Sequence, residues 1–254
     1  MFKFIILFSS LALCTSTFAQ TNLPYQNKSL PIEQRVKDLL SRMTVEEKAG
    51  QLNQLNGGSF TGPALNDAGQ KDKMNLVKEG KVGSLLNVTG SKETRAIQEI
   101  AMQSRLGIPL IFGYDVIHGY KTVFPIPLAE ACSWDVKQIE KNSSVAALEA
   151  SAAGIHWTFA PMCDISNDPR WGRVMEGAGE DPFLGAQIAA ARVKGLQGNL
   201  DGNHILACIK HFAVYGAVEA GREYNTVDVS RVQLWNKYLP PYKGAVDADR
   251  KSVV

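Results

Sequence analysis

The sequence predicts an α/β fold in which parallel strands and helices alternate to form a TIM-type barrel. Apolar, strand-like runs alternate with stretches of helical periodicity, an order that implies parallel strands joined by right-handed crossovers. The strand-like runs are Val82–Val88, Ile108–Tyr114, His156–Ala160 and Ile205–Ile209, and the helical stretches are Glu93–Arg105, Val136–Ala153 and Phe183–Leu196. Asn87, Asp115 and Lys210 lie at or just after the carboxyl ends of three of the runs. Polar residues repeated at this place favour a barrel rim over a doubly wound sheet.

Residues 1–19 have the three parts of a secretory signal peptide. Met1 to Lys3 supplies a positive start, residues 4–13 form an apolar run too short to span a bilayer, and Thr17-Phe-Ala19 is a small-residue cleavage site. An amphipathic first helix of the fold is the alternative, but the run is apolar on all sides. The bulky Leu13 before Cys14 argues against a lipoprotein signal. We therefore expect a secreted or periplasmic protein without a membrane anchor.

Two helices are predicted before the barrel. Pro31 opens a helical pattern with its apolar residues on one face, and Thr44 with Glu47 forms a capping box for the next helix. The apolar residues are Ile32, Val36, Leu39, Leu40 and Met43 in the first helix and Val45, Ala49 and Leu52 in the second. Residues 56–63 contain three glycines and a proline, which predicts a loop.

The last helical stretch has a well-defined start. Asp181 suits the N-cap position and Pro182 the first position of the helix. A narrow stripe of mostly small residues follows, made of Leu184, Ile188, Ala191 and Gly195. This stripe predicts a helix that lies close on a sheet.

Composition excludes several classes of function. The 254 residues are 45% hydrophobic and carry a net charge of +2, with no basic tract, so we expect no nucleic-acid partner. A glycine-rich phosphate turn and metal-type spacing are both missing, so we expect no cofactor and no metal. Removal of the signal peptide would leave Cys132, Cys163 and Cys208, an odd number, so at least one thiol stays unpaired. Cys208, inside an apolar run, is expected to be a small hydrophobe.

The polar residues at the predicted rim suit a sugar. A carboxylate can accept hydrogen bonds from two neighbouring hydroxyls while lysine, arginine and histidine donate to others, and Asp115, Arg173, Lys210 and His211 form such a set. The alternatives are a strand-end cap for Asp115 and separate structural partners for Lys210 and His211, which point to opposite faces of a strand. Arg170 and Arg173 flank Trp171-Gly172, a tight turn that presses the indole onto the rim, and chemistry alone does not decide which arginine meets the ligand.

Other polar residues are expected to have structural roles. His118 and His156 are interpreted as structural histidines. Glu176, Glu180 and Asp181 are loop carboxylates that we interpret as caps or ion-pair partners rather than acid catalysts.

Nine segments together resemble glycoside hydrolase family three, in particular its secreted bacterial periplasmic β-glucosidase type. They include Gly113-Tyr-Asp-Val-Ile-His-Gly119, Asp168-Pro-Arg-Trp-Gly-Arg173 and Lys210-His-Phe212, with residues 43–48, 124–125, 160–162, 176–181, 224–228 and 238–242. They follow the family's order across nearly all of the chain after residue 19.

The resemblance implies the N-terminal domain of a multidomain glycosidase, here an incomplete (β/α)8 barrel over residues 20–248. It implies that Asp115, Arg173, Lys210 and His211 bind the innermost sugar, and so it selects Arg173 over Arg170. It also implies a retaining mechanism with two carboxylates.

The resemblance also implies that this chain contains no catalytic residue. The family's nucleophilic aspartate and its acid/base residue match no position here, and both are expected beyond Val254. Residues 249–254 depart from the family pattern and are expected not to be native.

The expected activity of the full-length protein is hydrolysis of terminal non-reducing β-D-glucosyl residues, in oligosaccharides or β-glucosides. Within the same family, a β-xylosidase or an exo-glucanase is the alternative. An N-acetylglucosaminidase is disfavoured because residues 212–216 lack the His-Asp loop of those members. A non-catalytic sugar-binding short form is the alternative from another class. The sequence does not determine the oligomeric state.

Overall fold

The computed structural model describes residues 23–57, 67–248 and 252–253. The predicted signal peptide and most of the predicted 56–63 loop lie outside these residues. The chain divides after Thr44 into two compact units. In the described residues, no helix is long and apolar enough to cross a membrane.

In the described part of the first unit, a short 3-10 helix (Pro24–Gln26) precedes helix α1 (Ile32–Arg42), which starts directly after Pro31 as predicted. The fold of this unit is held by Asp38, whose carboxylate accepts hydrogen bonds from the backbone N–H of Tyr25 at 3.1 Å and from Arg42 at 2.9 Å. Ile32, Val36 and Leu40, part of the predicted apolar face, are exposed.

The second unit alternates strands and helices, as the sequence predicts. Its strands are β1 (Gln54–Asn56), β2 (Ser84–Leu86), β3 (Ile111–Tyr114), β4 (Trp157–Thr158), β5 (Leu206–Ile209) and β6 (Ser252–Val253). Its helices are α2 (Val45–Gln51), α3 (Asp67–Lys78), α4 (Ser91–Ala101), α5 (Pro127–Cys132), α6 (Val136–Ala152), α7 (Pro182–Gln197), α8 (Arg231–Gln233), which continues as a π-helix over Leu234–Tyr238, and α9 (Pro240–Asp247). Strand β1 and helices α3, α5, α8 and α9 are not predicted by the sequence analysis. Strand β1 is short and polar, and α3 has a weak apolar pattern.

The strands form one parallel sheet in the order β1-β2-β3-β4-β5-β6. Each strand pairs with the next one along the chain, which is the order of a barrel, whereas a doubly wound sheet reverses direction at its centre. The prediction of an incomplete α/β barrel is therefore confirmed. The strands are shorter than the predicted runs, but ladder hydrogen bonds extend past their ends, as from Cys208 N to Ala160 O at 3.0 Å.

Residues 252–253, which belong to the tail that departs from the family pattern, pair in parallel with Cys208 and Ile209. Residues 249–251 and Val254 lie outside the described residues. Whether the tail is native therefore stays a prediction, and so does the expectation that the catalytic carboxylates lie beyond Val254.

Helix α7 is the best-predicted helix of the barrel. Asp181 caps it by accepting a 2.6 Å hydrogen bond from the backbone N–H of Leu184, and the predicted stripe is buried. Small residues on α6 and α7 pack in the main core; they are Ala146, Ala147, Ala150, Ala189 and Val193. Cys163 and Cys208 are buried and Cys132 is exposed, and none of these three cysteines forms a disulfide bond.

The close approach of α6 and α7 predicts that Gly195→Ala destabilises the protein. An added Cβ would lie 2.3 Å from the carbonyl oxygen of Glu140 and 2.7 Å from Ser143 Cβ. We expect a loss of about 1–3 kcal/mol in the free energy of unfolding from overpacking, although alanine favours a helix over glycine by about 1 kcal/mol. Gly185→Ala in the same helix is the matched control, because its Cβ meets its nearest atom, Pro241 Cγ, at 3.2 Å. Denaturant unfolding that shows equal losses for both variants would contradict this prediction.

Candidate functional site

The carboxyl ends of β3 and β5 carry the ion pair at the centre of the site. Asp115 follows β3 and Lys210 follows β5, as predicted, and Lys210 Nζ lies 2.9 Å from Asp115 Oδ1. The side chain of Lys210 is only 8% exposed, whereas that of Asp115 is 50% exposed. The ion pair therefore joins the buried ammonium of Lys210 to the Asp115 side chain, which remains half exposed to solvent.

The loop that carries Asp115 is fixed from two sides. The backbone N–H of Val116 donates a 2.9 Å hydrogen bond to Oγ1 of Thr158, a buried residue of β4. Arg192 of α7 donates to the carbonyl of Ile117 at 2.9 Å and forms a buried ion pair with Glu130. Burial lowers the pKa of Arg192, and the charge of Glu130 opposes that shift. The position of Asp115 thus depends on both β4 and α7.

His211 is held by Asp164, a residue that the sequence reasoning missed. Asp164 Oδ2 accepts hydrogen bonds from the backbone N–H of His211 at 2.9 Å and from its Nδ1 at 2.8 Å. Asp164 Oδ1 accepts a 2.9 Å hydrogen bond from the hydroxyl of Tyr242, and burial together with the Asp164 charge raises the pKa of that hydroxyl. Because the carboxylate only accepts, Nδ1 of His211 carries a proton and Nε2 is left for other contacts. Asp115 directly follows β3, whereas Asp164 lies six residues after the end of β4, so the strand-end pattern gives no signal for Asp164.

Arg173 forms a two-pronged ion pair with Glu176. Arg173 Nε and Nη2 lie 2.6 and 2.7 Å from the two carboxylate oxygens. Burial raises the pKa of Glu176, but the hydrogen bonds and charge of Arg173, with the charges of Lys210 and His211, outweigh burial and leave the pKa below its usual value. Glu176 is thus an ion-pair partner, as predicted, and Arg173, Lys210 and His211 all lower its pKa.

The two arginines of the loop at 168–173 have different surroundings. Arg170 is exposed and pairs with Asp168 of its own loop at 2.6 Å, and its hydrogen bonds lower the pKa of Asp168 to about 2. The Arg173 guanidinium lies 5.6 Å from the ring centre of Tyr215. Arg170 therefore shapes its loop, while Arg173 faces the rest of the site.

Tyr215 joins the elements of the site through its ring. It makes edge-on contacts with His211 at 4.9 Å and with Trp171 at 5.4 Å. Trp171 is buried, and its Nε1 donates a 2.7 Å hydrogen bond to Glu223, which also accepts from the Tyr215 hydroxyl. The indole that was predicted at the rim is therefore buried and contacts the edge-on ring of Tyr215. Tyr215 and Glu223 were not predicted, since neither follows a strand.

A cavity of about 430 Å³ opens beside Tyr215, within the size range of small-molecule sites. Its lining consists of Arg173, His211, Phe212, Ala213, Tyr215, Val218, Tyr224, Asn225 and Val227. Of the four predicted residues, Arg173 and His211 line this cavity. Asp115 and Lys210 are not part of the lining. Lys210 is next to the lining in sequence, since it directly precedes His211, and its charge helps to lower the pKa of Glu176.

His118 and His156 bond to the backbone, in keeping with structural roles. His118 Nδ1 lies 3.1 Å from the carbonyl oxygen of Phe124, and His156 Nδ1 accepts a 3.2 Å hydrogen bond from the N–H of Phe112. Burial lowers the pKa of His156. In the described part of the chain, no group of three histidine, cysteine, aspartate or glutamate residues is placed to hold a metal ion.

The family description "Glycosyl hydrolase family 3 N terminal domain" matches residues 44–254. The chain belongs to glycosyl hydrolase family 3. The resemblance predicted from its motifs is confirmed, and the match begins at the boundary between the two compact units.

Similar members of glycosyl hydrolase family 3 are glycosidases. The "Periplasmic beta-glucosidase" of Salmonella typhimurium is 44% identical over 86% of this chain and 28% of its own length. A "Putative beta-xylosidase" of Formosa agariphila is 31% identical over 92% of this chain and 33% of its own. The structure of a Listeria innocua β-glucosidase variant in complex with laminaribiose is 45% identical, with a TM-score of 0.80 over 88% of this chain and 32% of that one. The chain thus spans about a third or less of the length of these relatives.

The buried contacts of Asp164 predict that Asp164→Asn destabilises the protein. The asparagine NH2 group would face donors that the carboxylate now satisfies, so we expect a loss of about 1–3 kcal/mol in the free energy of unfolding. Asp247→Asn is the control, since Asp247 is exposed in its pair with Lys243, and we expect a change below about 0.5 kcal/mol. Denaturant unfolding measures both, and a loss for Asp164→Asn no larger than the control would refute the prediction.

The lowered pKa of Glu176 predicts that the difference in the free energy of unfolding between the unchanged protein and Glu176→Gln depends on pH. A carboxyl whose folded-state pKa is lowered stabilises the fold above its unfolded pKa and loses this effect as pH falls through the folded-state value. We expect Glu176→Gln to be less stable at pH 7, with a difference that narrows below the ordinary glutamate value of 4.5. Unfolding curves between about pH 3 and pH 7 test this, and a constant difference would contradict it.

Proposed function

We propose that the full-length protein is a retaining, exo-acting β-glucosidase that removes terminal non-reducing β-D-glucosyl residues, and that this chain supplies much of its sugar-binding subsite. One observation carries the proposal: Asp115 and Lys210, 95 positions apart, meet at 2.9 Å where β3 and β5 end. Arg173 and His211 line the neighbouring cavity, which makes them further candidates for sugar contacts.

The pairing of charges at the site suits hydroxyl recognition. Each of the three basic side chains of the set already has a carboxylate partner, in keeping with the cost of burying an unpaired charge. The Lys210 ammonium has three donors, so it can keep Asp115 and still donate to a sugar hydroxyl. Asp115 is half exposed and can accept from two neighbouring hydroxyls, while Nε2 of His211 is left to contact the sugar.

We infer that the nucleophile and the acid/base residue come from sequence beyond Val254. A retaining glycosidase needs one carboxylate that attacks the anomeric carbon and a second that delivers and then removes a proton. The carboxylates described around the site all hold donors: Asp115 holds Lys210, Asp164 holds His211 and Tyr242, Glu176 holds Arg173, and Glu223 holds Trp171 and Tyr215. That engagement supports sugar positioning rather than bond cleavage as their task.

Glucose is the favoured sugar. The Salmonella β-glucosidase is 44% identical, against 31% and 34% for two Formosa agariphila proteins named as β-xylosidases. A Listeria innocua β-glucosidase, 45% identical, has a structure in complex with glucose. A β-xylosidase or exo-glucanase of the same family is the alternative, and a non-catalytic sugar-binding short form is the second candidate because the site carboxylates are engaged.

We further propose a secreted or periplasmic location without a membrane anchor. The signal-peptide pattern of residues 1–19 supports it, and so do two relatives that are named periplasmic enzymes.

The two arginines of one loop provide the test of the sugar site. In the full-length protein, Arg173→Ala is expected to lower kcat/KM for an aryl β-glucoside about 10- to 100-fold, the effect of losing a charged hydrogen bond. Arg170→Ala in the same loop is the matched control, because Arg170 pairs only locally with Asp168 in the described contacts, and it is expected to stay within about threefold. Equal losses for the two variants would refute the assignment.

The division between this chain and the rest of the protein is tested separately. The 254-residue chain alone is expected to hydrolyse an aryl β-glucoside no faster than a no-enzyme control. Turnover well above that rate would show that a carboxylate within the chain acts in catalysis. Aryl β-xylosides and aryl N-acetyl-β-glucosaminides, assayed with the full-length protein, separate the proposed specificity from its alternatives.

A further inference from the structure

Tyr224 is an aromatic residue in a conformation that suits it poorly. The backbone N–H of Asn225 donates to the carbonyl of Arg222 at 3.0 Å and closes a four-residue turn, with Tyr224 third in the turn. Tyr224 has φ = 61°, in the left-handed region. Turns that need positive φ at this position favour glycine or asparagine, and other residues are strained there. The turn by itself therefore gives no reason for a tyrosine.

The turn is held in place by its neighbours. Asn225 Nδ2 donates to the carbonyl of Glu219 at 3.2 Å, and the backbone N–H of Glu219 donates to the carbonyl of Thr226 at 3.0 Å. These bonds involve backbone atoms and the Asn225 side chain, so the Tyr224 side chain is not needed to form them. The Tyr224 side chain is also not needed for the core, because Tyr224 is 86% exposed.

The rings of Trp171, Tyr215 and Tyr224 contact one another in that order, and Tyr224 is the outermost and most exposed of the three. Trp171 is buried, Tyr215 contacts it at 5.4 Å, and Tyr224 contacts Tyr215 at 6.0 Å with a tilt of 34°. Tyr215 also contacts Arg173 and His211, which line the same cavity as Tyr224. If the terminal sugar is held at Arg173 and His211, Tyr224 is one ring further out, beside whatever is attached to that sugar.

We propose that Tyr224 forms the wall of an outer subsite and stacks on the group that leaves when the terminal sugar is cut. The inference rests on the proposed function and names a specificity residue for it. An exposed aromatic face attracts a flat C–H or aromatic surface, such as a second β-linked glucose ring or an aryl group. Tyr224 thus favours substrates whose leaving group presents such a face over substrates whose leaving group is small.

The test compares Tyr224→Gly and Tyr224→Phe in the full-length protein. Tyr224→Gly removes the ring and relieves the positive φ, so its melting temperature is expected to equal or exceed that of the unchanged protein. The measured quantity is the ratio of kcat/KM for laminaribiose to kcat/KM for methyl β-D-glucoside. We expect Tyr224→Gly to lower this ratio about 3- to 10-fold through a higher KM for laminaribiose, and Tyr224→Phe, which keeps the ring, to stay within about twofold.

An aryl β-glucoside provides a second arm that distinguishes the two kinds of flat leaving group. A lower ratio with laminaribiose, with the aryl glucoside, or with both supports stacking and identifies the surface that stacks. An unchanged ratio for both, in a protein that hydrolyses β-glucosides, overturns the role of Tyr224 and leaves the proposed function standing. A full-length protein that neither binds nor cleaves any of these glucosides overturns both.

Discussion

A buried lysine at the end of a strand is the constraint on which the site depends. Lys210 is a cation with little contact with solvent, and an unpaired charge in that position would be strongly destabilising. Its partner, Asp115, comes from the end of β3, so the ion pair bridges two strands that β4 separates. The barrel order of the strands places the carboxyl ends of β3 and β5 at the same rim. The site is therefore a product of the topology as much as of the residues.

Carboxylates also position the other two basic side chains of the site. His211 is held by the buried Asp164 and Arg173 by Glu176, so both side chains are positioned before any ligand arrives. Positioned groups lose little conformational freedom on binding, which favours affinity and a single ligand orientation. This arrangement agrees with the proposal that this chain binds the sugar and that the catalytic acids come from sequence beyond Val254.

The aromatic residues show where reasoning from the sequence stops. Trp171 stood out in its Pro-Arg-Trp-Gly context, but Tyr215, Glu223 and Tyr224 lie in a stretch without regular periodicity. This stretch is joined to Trp171 by contacts between residues far apart in the chain, such as the hydrogen bond from Trp171 to Glu223, 52 positions away. Asp164 was also missed, because it lies six residues after β4, whereas Asp115 directly follows β3. Its role depends on the contacts with His211 and Tyr242, which the strand-end pattern does not encode.

The sequence by itself determined the alternation of strands and helices, the start of α7 at Asp181, and the strand-end positions of Asn87, Asp115 and Lys210. These features depend on periodicity and on local hydrogen bonding, which neighbouring residues encode directly. Only the tertiary structure decided which carboxylate holds which cation, and gave Arg170 and Arg173, which the residues alone left equivalent, their different surroundings. Such pairings depend on distances between elements far apart in the chain, and those distances exist only once the strands have taken their places in the sheet.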